Sequence, residues 1–259
     1  MRTVFTIERR NAVSEHVIRL ARQDERVVAA AVVGSLAFDD GDRFSDVDLT
    51  FGIVDHIPIV GVLDDWTQTL VADLEAVRLV DLERGPTTYR VFLLPDALQL
   101  DLSMTPAGAF RPSGPRFRLL FGETVSGPSE PRTLPGSLFI DTPGVAEDIV
   151  GWGVVYALHA RACIERGRPW QAEHYIGAVR DHALSLACLR EGLPAAQARG
   201  YDDLPAETLA RSEGAHVGGL EPGALRAALG ASVRALVWES EASGLADAGV
   251  VAERLAELR

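Results

Sequence analysis

Residues 32–51 read VVGSLAFDDGDRFSDVDLTF, and the order of signals within them decides how the rest of the chain is placed. Val27 to Val33 is a short, apolar, largely β-branched run, which reads as a buried strand, and Gly34-Ser35 ends it. Residues 39–45 are polar and turn-forming. Residues 46–54 then alternate, with Val47, Leu49 and Phe51 on one face and Asp46, Asp48 and Thr50 on the other. That alternation is the mark of a half-buried strand. Two aspartates two apart on such a strand share a face, roughly 6–7 Å apart along the backbone.

Upstream, residues 12–23 place Val13, Val17, Ile18, Leu20 and Ala21 at helical spacing. Downstream, residues 64–77 predict a helix, with Asp64 or Asp65 as its N-cap. Strands follow over 88–94 and 97–104, joined by a turn at Pro95-Asp96. The second of them alternates, with Leu98, Leu100, Leu102 and Met104 set against Gln99, Asp101 and Ser103. Residues 106–136 are rich in Pro, Gly and Ser and predict an irregular connector holding one short strand, Phe117 to Phe121.

Beyond that point the strand signals fade. Asp141-Thr142-Pro143 predicts a helix start, with Pro at the first helical position, and Gly167 stops the helix after about Arg166. A second helix is predicted from about Trp170 to Glu191, ended by Gly192, and Pro205 opens a short one. The last forty residues give one long helix and one terminal helix. The expected class is α+β: a mixed sheet with flanking helices over residues 1–136, then a helical bundle over 137–259.

Composition narrows the function. Hydrophobic residues make up 47% of the chain, enough for a sizeable core. The net charge of −12 argues against a long nucleic-acid partner, whose phosphates call for a basic stripe. It is compatible with a cationic acceptor, although solubility alone accounts for it. All 25 basic residues are arginine, so Schiff-base chemistry and a P-loop lysine are excluded. Any triphosphate must be held by Arg, backbone N–H groups, hydroxyls and metal. Cys163 and Cys188 lie in apolar helical patterns without CxxC spacing and read as free buried thiols. No apolar run reaches membrane-spanning length, and the opening residues have no signal-peptide character. The expectation is a soluble cytoplasmic protein with no membrane partner.

Asp46, Asp48 and Asp101 are the candidate centre. If the strand bearing Asp101 neighbours the one bearing Asp48, three carboxylates point into one cleft, where mutual repulsion is relieved by a hard divalent cation. Mg²⁺ takes oxygen ligands and leaves positions open to substrate phosphate. Gly34 lets backbone approach a phosphate closely, and the Ser35 hydroxyl with nearby N–H groups can donate to it.

With Gly34-Ser35 after a buried strand, Asp46-Val47-Asp48-Leu49 ten residues on, and Asp101 in LQLDLSM, the first 105 or so residues resemble the DNA polymerase β nucleotidyltransferase superfamily. Within it the chain looks like the bacterial small-molecule members, the aminoglycoside and lincosamide adenylyltransferases; Asp42-Arg43-Phe44-Ser45-Asp46 is similar to their DRxSD entry. The resemblance implies transfer of a nucleotide, AMP from ATP, onto a hydroxyl of a small acceptor such as an aminoglycoside-like antibiotic, with pyrophosphate released. It implies two Mg²⁺ ions held by Asp46, Asp48 and Asp101, and a nucleotide held by Gly34, Ser35, Arg43 and Ser45. It places the acceptor between the two domains. Some members use a lysine near the triphosphate; Arg43 or Arg90 would have to replace it here. The acceptor base would be Asp101 or Glu173, the latter read first as a solvated helix residue.

Other residues point less far. Arg168 and His174 have the spacing of the ribonuclease motif in helical domains that accompany minimal nucleotidyltransferases in toxin–antitoxin pairs, which gives an alternative reading with a protein or RNA acceptor. His174 and His182 are expected as partly buried packing residues, and Trp152, Trp170 and Trp238 as core. Phe38 and Phe44 flank the loop before Asp46.

Overall fold

The computed structural model describes residues 5–38, 41–112, 116–126 and 146–258. The chain divides into two compact units, Thr3–Gly136 and a second built on Ser137–Arg259.

Among the described residues, the first unit is a six-stranded sheet with two α-helices. In chain order it runs α1 (Ile7–Gln23), β1 (Val27–Val33), β2 (Val47–Ile53), α2 (Ile59–Leu74), β3 (Val77–Arg84), β4 (Thr87–Leu93), β5 (Gln99–Pro106) and β6 (Phe117–Phe121). The spatial order is β3-β4-β5-β2-β1-β6. β2 and β5 are parallel, and every other neighbouring pair is antiparallel, so the sheet is mixed.

Period-2 alternation sorts the strand residues onto two faces. Leu49 and Phe51 of β2 and Leu100, Leu102 and Met104 of β5 pack with Val13 and Val17 of α1 and Leu63, Trp66 and Leu70 of α2. Phe51 and Trp66 meet edge to face, with ring centroids 5.0 Å apart. The opposite face bears Asp48 and Thr50 of β2 and Asp101 and Ser103 of β5. It is closed at the β1 end by Phe110 and Phe117 over Ala29 and Ala31.

The helices start earlier than the sequence pattern suggests. α1 begins at Ile7, because Thr6 caps it by accepting a hydrogen bond from the Arg9 N–H at 3.1 Å. α2 begins at Ile59 after Pro58 rather than at the aspartate pair, and it ends at Leu74 with Glu75 left-handed. Residues 77–84, for which the sequence pattern predicts nothing beyond a helix end at Val77, form the edge strand β3.

The second unit is helical among the described residues: α3 (Ala146–Glu165), α4 (Pro169–Glu191), the short α5 (Ala206–Ser212), α6 (Pro222–Ala242) and α7 (Ala248–Arg254). The expected start at Asp141 lies outside the described residues. α3 and α6 approach closely at Gly153, where a Cβ would lie 2.7 Å from Leu236 Cδ2 and 3.4 Å from His182 Cβ on α4. Cys163 and Cys188 are free and buried, as their apolar setting predicts. No helix among the described residues is long and apolar enough to cross a membrane.

Candidate metal and nucleotide site

Asp48 lies second in β2 and is the register partner of Asp101 in the parallel neighbour β5. A parallel pair offers both residues to one face at one level, so the two carboxylates meet. Asp46, expected as the first residue of the strand, stands one residue before β2, yet its side chain joins them. One ligand oxygen from each of the three lies within 4.8 Å of the others, and each residue is half-buried.

Burial is the first cause that raises the Asp48 carboxyl well above its ordinary range, and the charges of Asp46 and Asp101 add to it. Asp101 is pushed up to about 8 by burial and by Asp46, while its bonds from Gln99 pull it back. No ion pair to Asp48 or Asp101 is found among the described residues. Without a cation the cluster holds its charge poorly. Its donor set is oxygen only, which fits a hard divalent cation such as Mg²⁺.

Gly34 opens the 3₁₀ turn Gly34–Phe38 at the end of β1 with φ +69°. A Cβ there would collide with Asp48 Oδ2. Glycine is needed twice over, for a left-handed backbone and for the space its missing side chain leaves to the carboxylate. Ser35 is half-buried in the same turn.

The loop before Asp46 is tied down from within. Ser45 is 1% exposed, and its Oγ bonds the Asp42 N–H at 3.1 Å and Asp42 Oδ1 at 3.2 Å. Asp42 Oδ1 also accepts from the Phe44 N–H at 2.9 Å. Arg43 lies 4.4 Å over the Phe44 ring. Arg10, buried on the core stripe of α1, donates from a terminal guanidinium nitrogen to the Asp42 carbonyl at 2.6 Å.

A cavity of about 450 Å³ opens on this sheet face, lined by Gly34, Asp48, Asp101, Thr50, Ser103 and Tyr89 among others. Its cations are Arg111 and Arg116. Of the expected nucleotide residues, Gly34 lines it; Ser35, Arg43 and Ser45 are not among its lining. Arg90 is corrected outright as a triphosphate residue. It pairs in register with Leu102, on the helix-covered face, and its guanidinium is taken by Asp81 at 2.7 and 2.8 Å and by Asp64 at 2.8 Å.

Sequence reasoning passed over four contributors. Gln99 donates its Nε2 hydrogens to both Asp101 oxygens at 3.0 and 3.1 Å, and period 2 from Asp101 was the signal that could have found it. Arg10 sits on the Val13–Val17 stripe, a signal hidden by starting the helix at residue 12. Arg111 and Arg116 lie in the irregular connector, where no periodic signal exists.

In the helical unit, Glu173 is half-buried on α4 and His174 is exposed beside Tyr175. Arg168 is the N-cap position of α4, without a side-chain capping bond. His182 matches the packing expectation: it is 8% exposed, its Nδ1 meets the Ala178 carbonyl at 2.7 Å, and burial lowers its pKa. Trp170 does not, being 74% exposed. Trp152 stacks on Tyr156, and Trp238 lies under Arg211 at 3.7 Å.

No protein-family model matches the chain, and no curated protein matches it. Among solved structures, an aminoglycoside 6-adenyltransferase from Bacillus subtilis is similar at 12% identity and a TM-score of 0.33, over 99% of this chain and 92% of that chain. At that score the likeness carries no weight of its own, and the functional reading rests on the residues.

Proposed function

We propose that the chain is a Mg²⁺-dependent nucleotidyltransferase that moves a nucleotide, AMP from ATP, onto a hydroxyl of a small acceptor, of which an aminoglycoside-like antibiotic is the model. The observation that supports it is the convergence of Asp46, Asp48 and Asp101 beside Gly34, a glycine whose missing side chain makes room for the Asp48 carboxylate.

Asp46 and Asp48 hold the cation, with Asp101 completing the set and two ions the expected number. When bound, the ion supplies positive charge to a phosphoryl oxygen. The chain's residues do the rest. The Gly34-Ser35 turn offers backbone and hydroxyl to the phosphates, and Arg111 and Arg116 add positive charge to the cavity. The acceptor oxygen attacks the α-phosphorus, the bond to the bridging oxygen of the β-phosphate breaks, and pyrophosphate leaves. Asp101, oriented by Gln99, takes the acceptor's proton; Glu173 of the helical unit is the second candidate for that step.

The test is pyrophosphate release with Mg²⁺, each of the four NTPs and a panel of hydroxylated small molecules. Asp46→Asn and Asp48→Asn each lower turnover by on the order of 10³-fold or more while the fold persists. Full turnover in both variants sinks the metal assignment. Mg²⁺-dependent NTP binding without release on any small acceptor would move the acceptor to a protein or RNA partner.

A further inference from the structure

The sheet face that bears the carboxylates carries a second row of polar groups. Two residues beyond Asp48 and Asp101, β2 and β5 present Thr50 and Ser103, which are register partners, and Tyr89 of β4 pairs with Ser103 on its other side. One strand repeat separates the two rows, about 6.6 Å. Thr50 is 9% and Ser103 6% exposed, and both line the cavity that holds Asp48 and Asp101. In the row beyond, the Thr87 and Thr105 hydroxyls bond each other at 2.8 Å. Neither the Thr50 nor the Ser103 hydroxyl has a hydrogen-bond partner among the described residues.

Buried polar groups are ordinarily satisfied, so two adjacent ones left open toward a cavity mark a place for a polar ligand. Each hydroxyl can donate one hydrogen bond and accept others, which matches the paired hydroxyls of a sugar. Arg111 and Arg116 line the same cavity as Asp48 and Asp101, a mixed lining that suits a molecule bringing anionic phosphates together with a divalent cation. We infer that Thr50 and Ser103 form a shelf for the ribose hydroxyls of the donor nucleotide, one strand repeat from its phosphates. This inference rests on the nucleotidyl-transfer reading.

Thr50→Val and Ser103→Ala remove the hydroxyls with little change of shape, and neither residue belongs to the metal set. The experiment is titration calorimetry of the full chain with Mg²⁺ and ATP, CTP, GTP and UTP, then the 2′- and 3′-deoxy forms of the tightest binder, with inorganic tripolyphosphate as the sugar-free probe. Each variant is expected to bind the NTP about 5- to 10-fold more weakly, the scale of one lost hydrogen bond, and tripolyphosphate as well as wild type does. The variant that lost a given contact should lose nothing more when the matching ribose hydroxyl is removed. Unchanged NTP affinity in both variants overturns the shelf and leaves those hydroxyls to water. Equal weakening toward tripolyphosphate also overturns it, since the effect would not follow the sugar. A wild type that binds neither NTP nor tripolyphosphate defeats the nucleotidyl-transfer reading itself, an outcome distinct from either.

Discussion

The two faces of the sheet treat buried charge in opposite ways. On the helix-covered face, Arg90 is 3% exposed, yet every part of its guanidinium is answered: Asp81 takes it bidentately, and Asp64 and Thr67 of α2 take the remaining terminal nitrogen. On the open face, Asp48 and Asp101 stand at one level of adjacent strands with Asp46 beside them, and burial, reinforced by the neighbouring carboxylate charge, raises their pKa values. A charge buried to fix a fold arrives with its counter-charge from the same chain. A cluster of like charges without one is a functional arrangement, because its compensation must come from outside.

The largest expected loss of stability from a single substitution comes from breaking the matched face. Arg90→Met leaves Asp81 half-buried without its main partner and unties α2 from β4. Removing one member of a fully buried pair costs roughly 3–5 kcal/mol. Asp64 is 59% exposed and regains water, so the cost here should be about 2–3 kcal/mol. Urea denaturation measures it. A loss below about 0.5 kcal/mol would place Arg90 among ordinary surface charges and erase the contrast between the faces.

The same contrast explains what the sequence could and could not disclose. Gly34, Asp46 and Asp48 lie within fifteen residues, and strand periodicity alone sets Asp48 and Asp101 opposite the apolar positions, so the acidic core of the site was legible. That β5 lies next to β2 in parallel was not, since pairing is a long-range choice that periodicity leaves open. Arg90 looked available for phosphate because its partners meet it only in the fold, Asp81 once β3 pairs with β4 and Asp64 once α2 packs on the sheet. β3 itself was missed because its charges, in VRLVDLER, blur the apolar alternation of an edge strand. α2 was started late because an aspartate pair resembles a cap, whereas Pro58 opens the helix five residues earlier.

The unmatched face gives a pH signature. Burial, with the charge of Asp46, pushes the Asp101 carboxyl up to about 8 from an ordinary 3.8. A carboxyl raised in this way favours the fold while it is neutral. Its contribution is fully present below about pH 3.8 and is lost as pH rises through about 8. Thermal melts in chelator should fall across that window, with a slope of up to about 1.4 kcal/mol per pH unit for each proton released. Asp101→Asn should flatten the slope and raise the melting temperature at its alkaline end by a few degrees, about 2–4 °C per kcal/mol of repulsion relieved. Excess Mg²⁺ should protect the wild type increasingly as pH rises and protect the variant much less. Mg²⁺ protection that is equal at both ends of the window would mean that the ion does not bind these carboxylates.

The smallest effect sharpens the contrast by reversing the sign. Asp24, at the end of α1, accepts from Arg26 Nε at 2.9 Å, from a terminal Arg26 nitrogen at 2.8 Å and from Trp66 Nε1 at 2.8 Å. The Arg26 bonds are the main cause that lowers its pKa to about 2. A carboxyl depressed in this way supports the fold when ionised. Its contribution is complete above about pH 3.8 and is lost as pH falls through about 2. Arg26 is 32% exposed, so screening trims the benefit, and Asp24→Asn should cost about 1–2 kcal/mol at neutral pH. That cost should vanish in acid and be indifferent to Mg²⁺. One sheet unit would then hold two aspartates with opposite pH dependence, and only the one whose ionised form lacks a cationic protein partner would respond to the metal. If Asp24→Asn also changed the response to Mg²⁺, matched and unmatched charge would be coupled through the sheet, and the division of labour between its faces would fail.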